Sequence, residues 1–352
     1  MPRALIHPIC SALDVRQSLA ELRAGSIWVE HEAEVTENQL NKVRTVAELR
    51  QVTAGWRKEN LTVALVPTMG ALHVGHLALV KRATEIADRT LVSIFVNPSQ
   101  FAPNEDLSHY PRDETGDFAK LTEAGCDLAW VPAPQEIYPE GFATRIMPAG
   151  AAFGLESIAR PHFFGAVATV CCKLFAAATP DFAVFGEKDY QQLCVIQQIV
   201  RDLNLPLKIV AVPTVREGDG LALSSRNAYL LAKERAIAPV LHRVICEVAA
   251  RAKRAVAEPD GDANRRRAPR PSPLLPEPGR PKDRPQLFEL NTICEDAVQE
   301  LERAGFTKVD YVAVREAGTL EIISVPTARP MRVLAAVYLG KTRLIDNVPA
   351  NH

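Results

Sequence analysis

An alternation of short β-rich apolar runs with helical patterns constrains the fold of this chain most. The candidate strands are residues 63–66, 91–96, 128–131, 183–185 and 209–212, and the helical patterns 76–88, 117–124, 167–178 and 190–203 lie between them. Parallel strands need a crossover between them, which is usually a helix. The alternation therefore predicts an α/β fold, a Rossmann-like doubly wound parallel sheet with helices on both faces. Such sheets bind ligands beyond the carboxyl ends of their strands, where the strand order reverses.

The most informative motif follows the first of these strands. His73-Val74-Gly75-His76 comes after the turn 67–70 and opens a helical pattern. Two imidazoles three residues apart at a helix start lie on one face, beside unpaired N–H groups and the positive end of the helix dipole. This arrangement suits a triphosphate, because these groups bind oxygens and donate to charge that develops as pyrophosphate leaves. His-x-Gly-His is typical of nucleotidyltransferases that adenylate a carboxylate; the alternative is a pair of polar residues at a helix cap.

Other polar blocks fall where the same cleft would lie. The strand at 183–185 ends in Gly186 and a charged turn, from which Lys188 can reach phosphate and Gln192 can face the cleft. The polar loop 223–227 carries two hydroxyls and a guanidinium, which can close over a triphosphate. Asn97 and Gln100 follow the second strand. Taken singly, the charged turn could be a solvated helix cap, and Asn97 and Gln100 could be turn residues.

Two other nucleotide-binding motifs are excluded. Gly340-Lys341-Thr342 looks like the end of a P-loop, but the glycine required five residues earlier is Ala335. No Gly-x-Gly-x-x-Gly follows a strand, so a dinucleotide fingerprint is absent from the sequence.

Charge and cysteine usage limit the partners. A net charge of −1 gives no general field for nucleic acid or an acidic membrane. No apolar run approaches the length of a membrane span. The 7 cysteines show no Cys-x-x-Cys spacing, which argues against a zinc site or a disulfide framework and favours a reducing compartment. We therefore expect a cytoplasmic protein that binds neither nucleic acid nor a membrane.

The pattern changes after residue 212. A helical stretch at 232–256 is followed by a segment, 259–285, with eight prolines and three consecutive arginines, which predicts a disordered insertion or, alternatively, a docking segment. Helix 287–304 and strands 309–314 and 332–337 complete a small α+β region. The predicted organisation is an N-terminal extension of unassigned role at 1–40, a Rossmann-like nucleotide- and substrate-binding domain at 41–213, and a smaller C-terminal lid domain at 214–352.

Taken together and in this order, from about 41 to 346 apart from the proline-rich segment 259–285, these blocks resemble the pantoate–β-alanine ligase family. The resemblance reaches the tail, where 340–347 looks like the family's terminal motif. It implies that ATP and pantoate form pantoyl adenylate and pyrophosphate with Mg²⁺, and that β-alanine then attacks the adenylate to give pantothenate and AMP. It also implies a homodimer.

The resemblance further assigns roles to residues of this sequence. The implied ATP contacts are Met69, Gly70, Ala71, Leu72, His73, Val74, Gly75, His76, Gly186, Glu187, Lys188, Asp189, Val215, Leu223, Ser224, Ser225 and Arg226. The implied substrate contacts are Asn97, Gln100, Tyr110, Arg160 and Gln192. The implied catalytic residues are His73, His76, Lys188 and Arg226, with His76 as proton donor to the departing phosphate. Asp117 is the implied Mg²⁺ ligand.

One loop departs from the family pattern. The family usually reads Arg-Pro-Gly-His-Phe-x-Gly-Val before a helix, whereas residues 160–167 read Arg-Pro-His-Phe-Phe-Gly-Ala-Val. Either several positions are substituted, or one glycine is lost and a residue is gained within the loop, in which case His162 keeps its role shifted by one residue. Because this loop borders the pantoate pocket in the family, we expect altered substrate geometry here.

Two rival functions remain open at this point. Another His-x-Gly-His nucleotidyltransferase is one, although a tRNA synthetase would need a basic surface and an anticodon module, and neither is visible. A catalytically degraded homologue that acts as a binding protein is the other. The intact histidines, Lys188 and 224–226 weigh against it, and the altered loop weighs for it.

Overall fold

A computed structural model describes residues 40–102, 107–108, 110–257, 285–323 and 329–350. The predicted extension at 1–40, apart from Leu40, and the predicted insertion at 259–285, apart from Pro285, lie outside these residues.

The larger sheet is parallel throughout and has the order β1-β4-β3-β2-β5-β6. Its strands are β1 (Asn41–Val43), β2 (Val63–Thr68), β3 (Arg89–Ile94), β4 (Leu128–Trp130), β5 (Phe182–Gly186) and β6 (Lys208–Val212). The chain runs outward from β2 to β3 and β4 on one side, and returns to β5 and β6 on the other. The strand order therefore reverses at β2, which confirms the predicted doubly wound sheet and places its switch point beside the two-histidine motif.

Helices cover both faces of this sheet. They are α1 (Val46–Lys58), α2 (Val74–Ile86), α3 (Glu114–Glu123), α6 (Phe163–Ala178) and α7 (Tyr190–Asp202), with the single-turn helices α4 (Pro134–Ile137) and α5 (Glu156–Ala159) in the connections. Successive side chains of β2 alternate between two cores, with Val63 and Leu65 in one and Ala64 and Val66 in the other. This two-sided burial is the reason that the strands read as continuous apolar runs.

The C-terminal part contains a second, antiparallel sheet. Its strands β7 (Lys308–Glu316), β8 (Met331–Leu339) and β9 (Thr342–Pro349) are neighbours in chain order. They pack with α9 (Val240–Ala257) and α10 (Pro285–Ala304), and α8 (Ala232–Ile237) precedes these helices. The strands of the first sheet end by Val212 and those of the second begin at Lys308, on either side of the predicted boundary at 213.

The tail motif belongs to this second sheet. Gly340, at φ +55°, lies in the turn between β8 and β9, so the apparent P-loop remnant is a hairpin connection. None of the helices in the described part of the chain has the length and apolar character that a membrane span requires.

Candidate active site

A cleft of about 810 Å³ opens at the carboxyl ends of β2 and β5. Many predicted site residues line it: Met69, His73, Gly75, His76, Asn97, Gln100, Tyr110, Arg160, Gly186, Lys188, Asp189, Gln192, Val215, Leu223, Ser224, Ser225 and Arg226. Six others do not: Gly70, Ala71, Leu72, Val74, Asp117 and Glu187. The fold thus brings together residues that are far apart in sequence.

The histidine turn is held by its own hydrogen bonds. His73 is the N-cap of α2, and its Nδ1 accepts a hydrogen bond from the Gly75 N–H at 3.1 Å. His76 Nδ1 accepts from the His73 N–H at 3.3 Å, and the two ring centroids are 4.1 Å apart. Because each Nδ1 is an acceptor, each neutral ring carries its proton on Nε2. Both imidazoles are therefore hydrogen-bond donors through Nε2.

Burial keeps both rings neutral. It lowers the pKa of His76 to about 3, and the neighbouring His73 adds to this shift. The pKa of His73 is also lowered, by burial and by the charge of Lys188. At neutral pH the turn thus offers two neutral N–H donors. Proton donation by His76 to the leaving phosphate stays a prediction, and it requires the bound anion to raise this pKa.

Asp117 stabilises the loop in front of the histidines. Its carboxylate is buried and accepts hydrogen bonds from the Ala71 N–H at 2.8 Å and the Leu72 N–H at 2.7 Å. Lys120 Nζ lies 3.8 Å from the same carboxylate and donates to the Leu72 carbonyl at 2.8 Å. The loop contains two residues of positive φ, Gly70 and Ala71. Because alanine rarely adopts positive φ, these hydrogen bonds help to stabilise the backbone at Ala71.

The loop that carries Ser224 and Arg226 starts from a narrow hairpin. Its two sides are joined by the Leu223 N–H, which donates to the Val215 carbonyl at 3.0 Å. Ser224 then caps a short 3-10 helix, Ser225–Tyr229, by accepting from the Arg226 N–H at 3.3 Å. This segment and the turn that carries Lys188 line the same cleft. Two cationic side chains and two hydroxyls therefore border the space that an anionic ligand would fill.

On the substrate side, Asn97 organises its neighbours. It is buried, donates to Gln100 Oε1 at 2.8 Å and accepts from the Tyr138 hydroxyl at 2.9 Å. Arg160 donates to the Gln100 carbonyl at 2.8 Å, and its guanidinium stacks 3.9 Å from the centre of the Phe163 ring. The sequence did not indicate Tyr138, because a tyrosine after a short helical turn has no distinctive pattern.

A second glutamine was also missed. Gln191 is buried, and its Nε2 donates to the Ala151 carbonyl at 3.0 Å while its Oε1 accepts from the Glu156 N–H at 3.1 Å. These bonds fix the start of α7, and the adjacent Gln192 lines the cleft. The sequence signal for this residue is the pair Gln191-Gln192, of which only Gln192 was predicted to face the cleft.

The loop with the unusual sequence borders the cleft through some of its residues. Arg160, Phe163 and Phe164 line the cavity, whereas His162 is exposed and does not. A side chain at Gly165 would meet Met147 Sδ at 2.9 Å from its Cβ. In the shifted alignment this glycine is the one that follows His-Phe-x in the family pattern.

A doubly wound parallel sheet with paired histidines at the start of the helix after β2 defines the nucleotidyltransferase class of enzymes. The family model described as pantoate-beta-alanine ligase matches residues 41–349. The chain is 48% identical over 309 residues to a pantothenate synthetase of Paramagnetospirillum magneticum, covering 87% of this chain and 96% of that one. It is 48% identical over 306 residues to one from Nitrobacter hamburgensis, covering 87% and 96%.

Solved structures agree with this assignment. The crystal structure of pantothenate synthetase from Thermus thermophilus is 41% identical with a TM-score of 0.73, covering 89% of this chain and 100% of that one. A pantoate-beta-alanine ligase from Francisella tularensis, complexed with beta-gamma ATP and beta-alanine, is 30% identical with a TM-score of 0.67, covering 88% and 98%. The chain belongs to the pantoate–β-alanine ligase family.

Proposed function

We propose that this protein condenses pantoate with β-alanine at the expense of ATP, through a pantoyl adenylate. The observation that carries the proposal is the convergence, in one cleft, of the His73–His76 turn, Lys188 and the 224–226 loop with Gln100 and Gln192. The first set suits a triphosphate and the second a small polar acid. The two sets meet where the strand order reverses, which is the usual ligand position in such sheets.

In the first step, a pantoate carboxylate oxygen attacks the α-phosphorus of ATP. The new P–O bond forms as the bond to the β-phosphate oxygen breaks, and pyrophosphate leaves. The Nε2–H groups of His73 and His76, with the N–H groups at the start of α2, donate to the oxygens on which charge develops. Lys188 and Arg226 offset the repulsion between carboxylate and triphosphate.

In the second step, the β-alanine amine attacks the acyl carbon. The C–N bond forms, the bond to the AMP oxygen breaks, and the ammonium proton is lost to solvent or a nearby base. AMP leaves far more readily than oxide would, which is why adenylation comes first. The intermediate hydrolyses in water, so closure of the 224–226 loop over the cleft has a protective role.

Residues of the substrate side hold pantoate. Gln100 and Gln192 supply amides for its hydroxyls and carboxylate, and Tyr110 and Arg160 lie in the same wall. Asn97 acts indirectly, because its amide is engaged with Gln100 and Tyr138.

Mg²⁺ enters this scheme with ATP. Asp117 does not suit a direct metal ligand, because both its oxygens accept backbone hydrogen bonds and the side chain lies outside the cleft wall. Within the described residues there is no group of three or more His, Cys, Asp or Glu side chains that could hold a metal ion. Mg²⁺ commonly keeps several waters and binds substrate phosphates, so the triphosphate would supply its ligands and the metal would neutralise phosphate charge.

The assembly and location are also proposals. Met147, Phe153 and Ile158, in the segment between α4 and α6, are 73%, 69% and 79% exposed. Large apolar side chains exposed together in one segment support an interface with a second copy of the chain, as in the predicted homodimer. The six described cysteines are free thiols, which supports the cytoplasm as the location. The division at 213 into a substrate-binding domain and a lid remains part of the same proposal.

The test is AMP formation by the purified protein with ATP and Mg²⁺, and with pantoate and β-alanine omitted in turn. We expect stoichiometric AMP and pantothenate only when both acids are present. Pyrophosphate release when pantoate and β-alanine are both absent would contradict the proposal. An inactive protein that still binds ATP would also contradict it, because a degraded homologue behaves in this way.

A further inference from the structure

Two adjacent residues of the tail motif contact the turn that carries Lys188 and the hairpin that leads to the 224–226 loop. Asp346 and Asn347 lie on β9, are buried, and belong to the second sheet rather than to the ATP-binding one. Successive side chains of a strand point to opposite faces, so this dipeptide reaches in two directions at once. Nothing in the reaction described above uses either residue.

Asn347 holds the turn that carries Lys188. Its Nδ2 donates to the carbonyls of Glu187 and Lys188, each at 2.9 Å. Its Oδ1 accepts from Arg332 Nε at 2.7 Å, and Arg332 in turn pairs with the Glu187 carboxylate at 2.8 Å. The guanidinium of Arg332 also stacks 3.7 Å from the centre of the Tyr190 ring. The turn Glu187–Asp189 is therefore fixed through its backbone by Asn347 of β9 and through the Glu187 side chain by Arg332 of β8.

Asp346 holds the hairpin that leads to Ser224 and Arg226. Its carboxylate accepts two hydrogen bonds from Arg216, at 2.7 and 2.8 Å. Arg216 also donates to the Gly220 carbonyl at 3.0 Å and forms an antiparallel bridge with Ala222. Burial raises the pKa of Asp346, but the nearby His242, 3.6 Å away, and the hydrogen bonds from Arg216 outweigh it and leave the pKa below its ordinary value, so the pair with Arg216 is ionic at neutral pH.

We propose that Asp346 and Asn347 are positioning residues that set the separation of Lys188 from the 224–226 loop, so that both parts meet one triphosphate. The two parts lie on different elements, one after β5 and one after β6, and β9 is the element that bonds directly to the first and, through Arg216, to the second. The inference rests on the proposed function, because it acts through the proposed ATP contacts. The tail motif thus positions the groups that act in the first step, adenylate formation.

The test is a double-mutant cycle on pantoate-dependent pyrophosphate release. Asn347→Asp keeps the side-chain size and the acceptor for Arg332 but removes both donors to the turn. Displacement of a catalytic group by about 1 Å can cost a hundredfold in rate, so we expect a loss of about 30-fold in kcat. If Asn347 acts through Lys188, the double variant with Lys188→Ala should be no slower than Lys188→Ala alone.

Controls separate positioning from general damage. Val314→Ala removes buried atoms from the apolar core on β7, which β8 separates from β9, and should lower Tm while leaving kcat near the parent value. Asp346→Asn should slow the same step by loosening Arg216, and conversion of supplied pantoyl adenylate with β-alanine should be less affected in both variants. If Asn347→Asp does not fold, Asn347→Ala replaces it in the cycle.

Three results would overturn the inference, and they separate the positioning role from the proposed ATP site. Additive losses for Asn347→Asp and Lys188→Ala, or parental kcat for a folded Asn347 variant, overturn the positioning role alone. Parental pyrophosphate release by Lys188→Ala overturns the proposed ATP site, and the positioning role with it.

Discussion

At the scale of single residues, burial decides the chemistry of the two histidines. An imidazole with an ordinary pKa would be partly charged near neutral pH, but the cleft holds His76 neutral with its proton on Nε2. A neutral donor binds phosphate oxygens without forming a fixed ion pair with ATP. Its hydrogen bond can then strengthen as the bridging oxygen gains charge.

His76→Ala should slow pyrophosphate release about a hundredfold or more, because an N–H donor to the leaving phosphate is lost. Thermal unfolding should change little, because the ring accepts only one long hydrogen bond, from the His73 N–H at 3.3 Å. The matched control is His162→Ala, at an exposed histidine outside the cleft, which should release pyrophosphate at the parental rate. Equal rates for parent and His76→Ala would remove this residue from the mechanism.

His76 should also make the free energy of unfolding depend on pH. With a folded pKa of about 3 and an unfolded value near 6.5, the unfolded chain binds the extra proton between these limits. Stability therefore rises with pH across this window, by at most about 1.4 kcal/mol per pH unit from this group, and is constant above it. Urea unfolding from pH 4.5 to 7.5 should show a shallower rise for His76→Asn than for the parent. Parallel curves would mean that the ring takes up its proton in the folded state.

Gln192→Ala should raise the KM for pantoate much more than that for ATP. The variant leaves a buried polar group of pantoate without its hydrogen-bond partner, which costs about 1–3 kcal/mol. We therefore expect the pantoate KM to rise roughly tenfold or more. Gln197→Ala, at an exposed amide on the same helix α7, is the control for helix stability. Steady-state kinetics with each substrate varied would decide, and equal rises for both substrates would indicate general disruption of the cleft.

Much of this residue-level site could be predicted from the sequence, because each member follows a strand end or opens a helix. The residues that were missed, Tyr138, Gln191 and Asn347, act on other protein groups rather than in a local motif. Asp117, which was predicted as a metal ligand, likewise bonds to groups of the protein that are distant in sequence. Its backbone partners lie 45 and 46 residues earlier in the chain, so the periodicity of the sequence cannot indicate these contacts.

At the scale of elements, the predicted strands of the large sheet and their crossover helices are confirmed, with ends shifted by a few residues. Continuous apolar runs identify the central strands, since both faces are buried. The missed β1 has three residues and begins with exposed Asn41 and Lys42, so it has neither length nor pattern. The missed β9 carries Arg343 and Asp346, which interrupt the apolar pattern that indicates a strand. Both charges are paired inside the protein, with Glu156 and Arg216.

The loop before α6 gives a prediction at this scale. Inserting a glycine between Pro161 and His162 restores the order Arg-Pro-Gly-His-Phe-x-Gly, with Ala166 as one extra residue before Val167. It also keeps Gly165, where a Cβ would meet Met147 Sδ at 2.9 Å. Glycine adopts positive φ at low cost, which would let His162 turn from solvent towards the cleft. One added hydrogen bond should lower the pantoate KM about threefold, with the ATP KM unchanged.

The companion variant replaces residues 162–166 with Gly-His-Phe-Arg-Gly, which places an arginine at position 165 and requires the exposed Met147 side chain to move. Steady-state kinetics on both variants tests the idea. Parental pantoate kinetics in the glycine-insertion variant would show that the loop is not part of the substrate pocket.

At the scale of the whole molecule, residues of both sheets line the cleft. The composition of 259–285 predicts an insertion that the site does not require. The pairs Arg243–Glu300 and Arg251–Asp296 show that α9 and α10 run antiparallel, so the end of α9 lies near the start of α10. Replacing 259–285 by a short flexible linker should therefore retain AMP formation and change stability only slightly. A deletion variant that is folded but inactive would make this segment part of the site.

The measurement that tests the adenylate mechanism most directly follows the oxygens of pantoate. With both carboxylate oxygens labelled with ¹⁸O, we predict one labelled oxygen in AMP and one in the amide carbonyl of pantothenate, by mass spectrometry of both products. This result requires that the carboxylate bonds to the α-phosphorus and that β-alanine breaks the acyl C–O bond. Unlabelled AMP, or label in orthophosphate released with ADP, would contradict the mechanism.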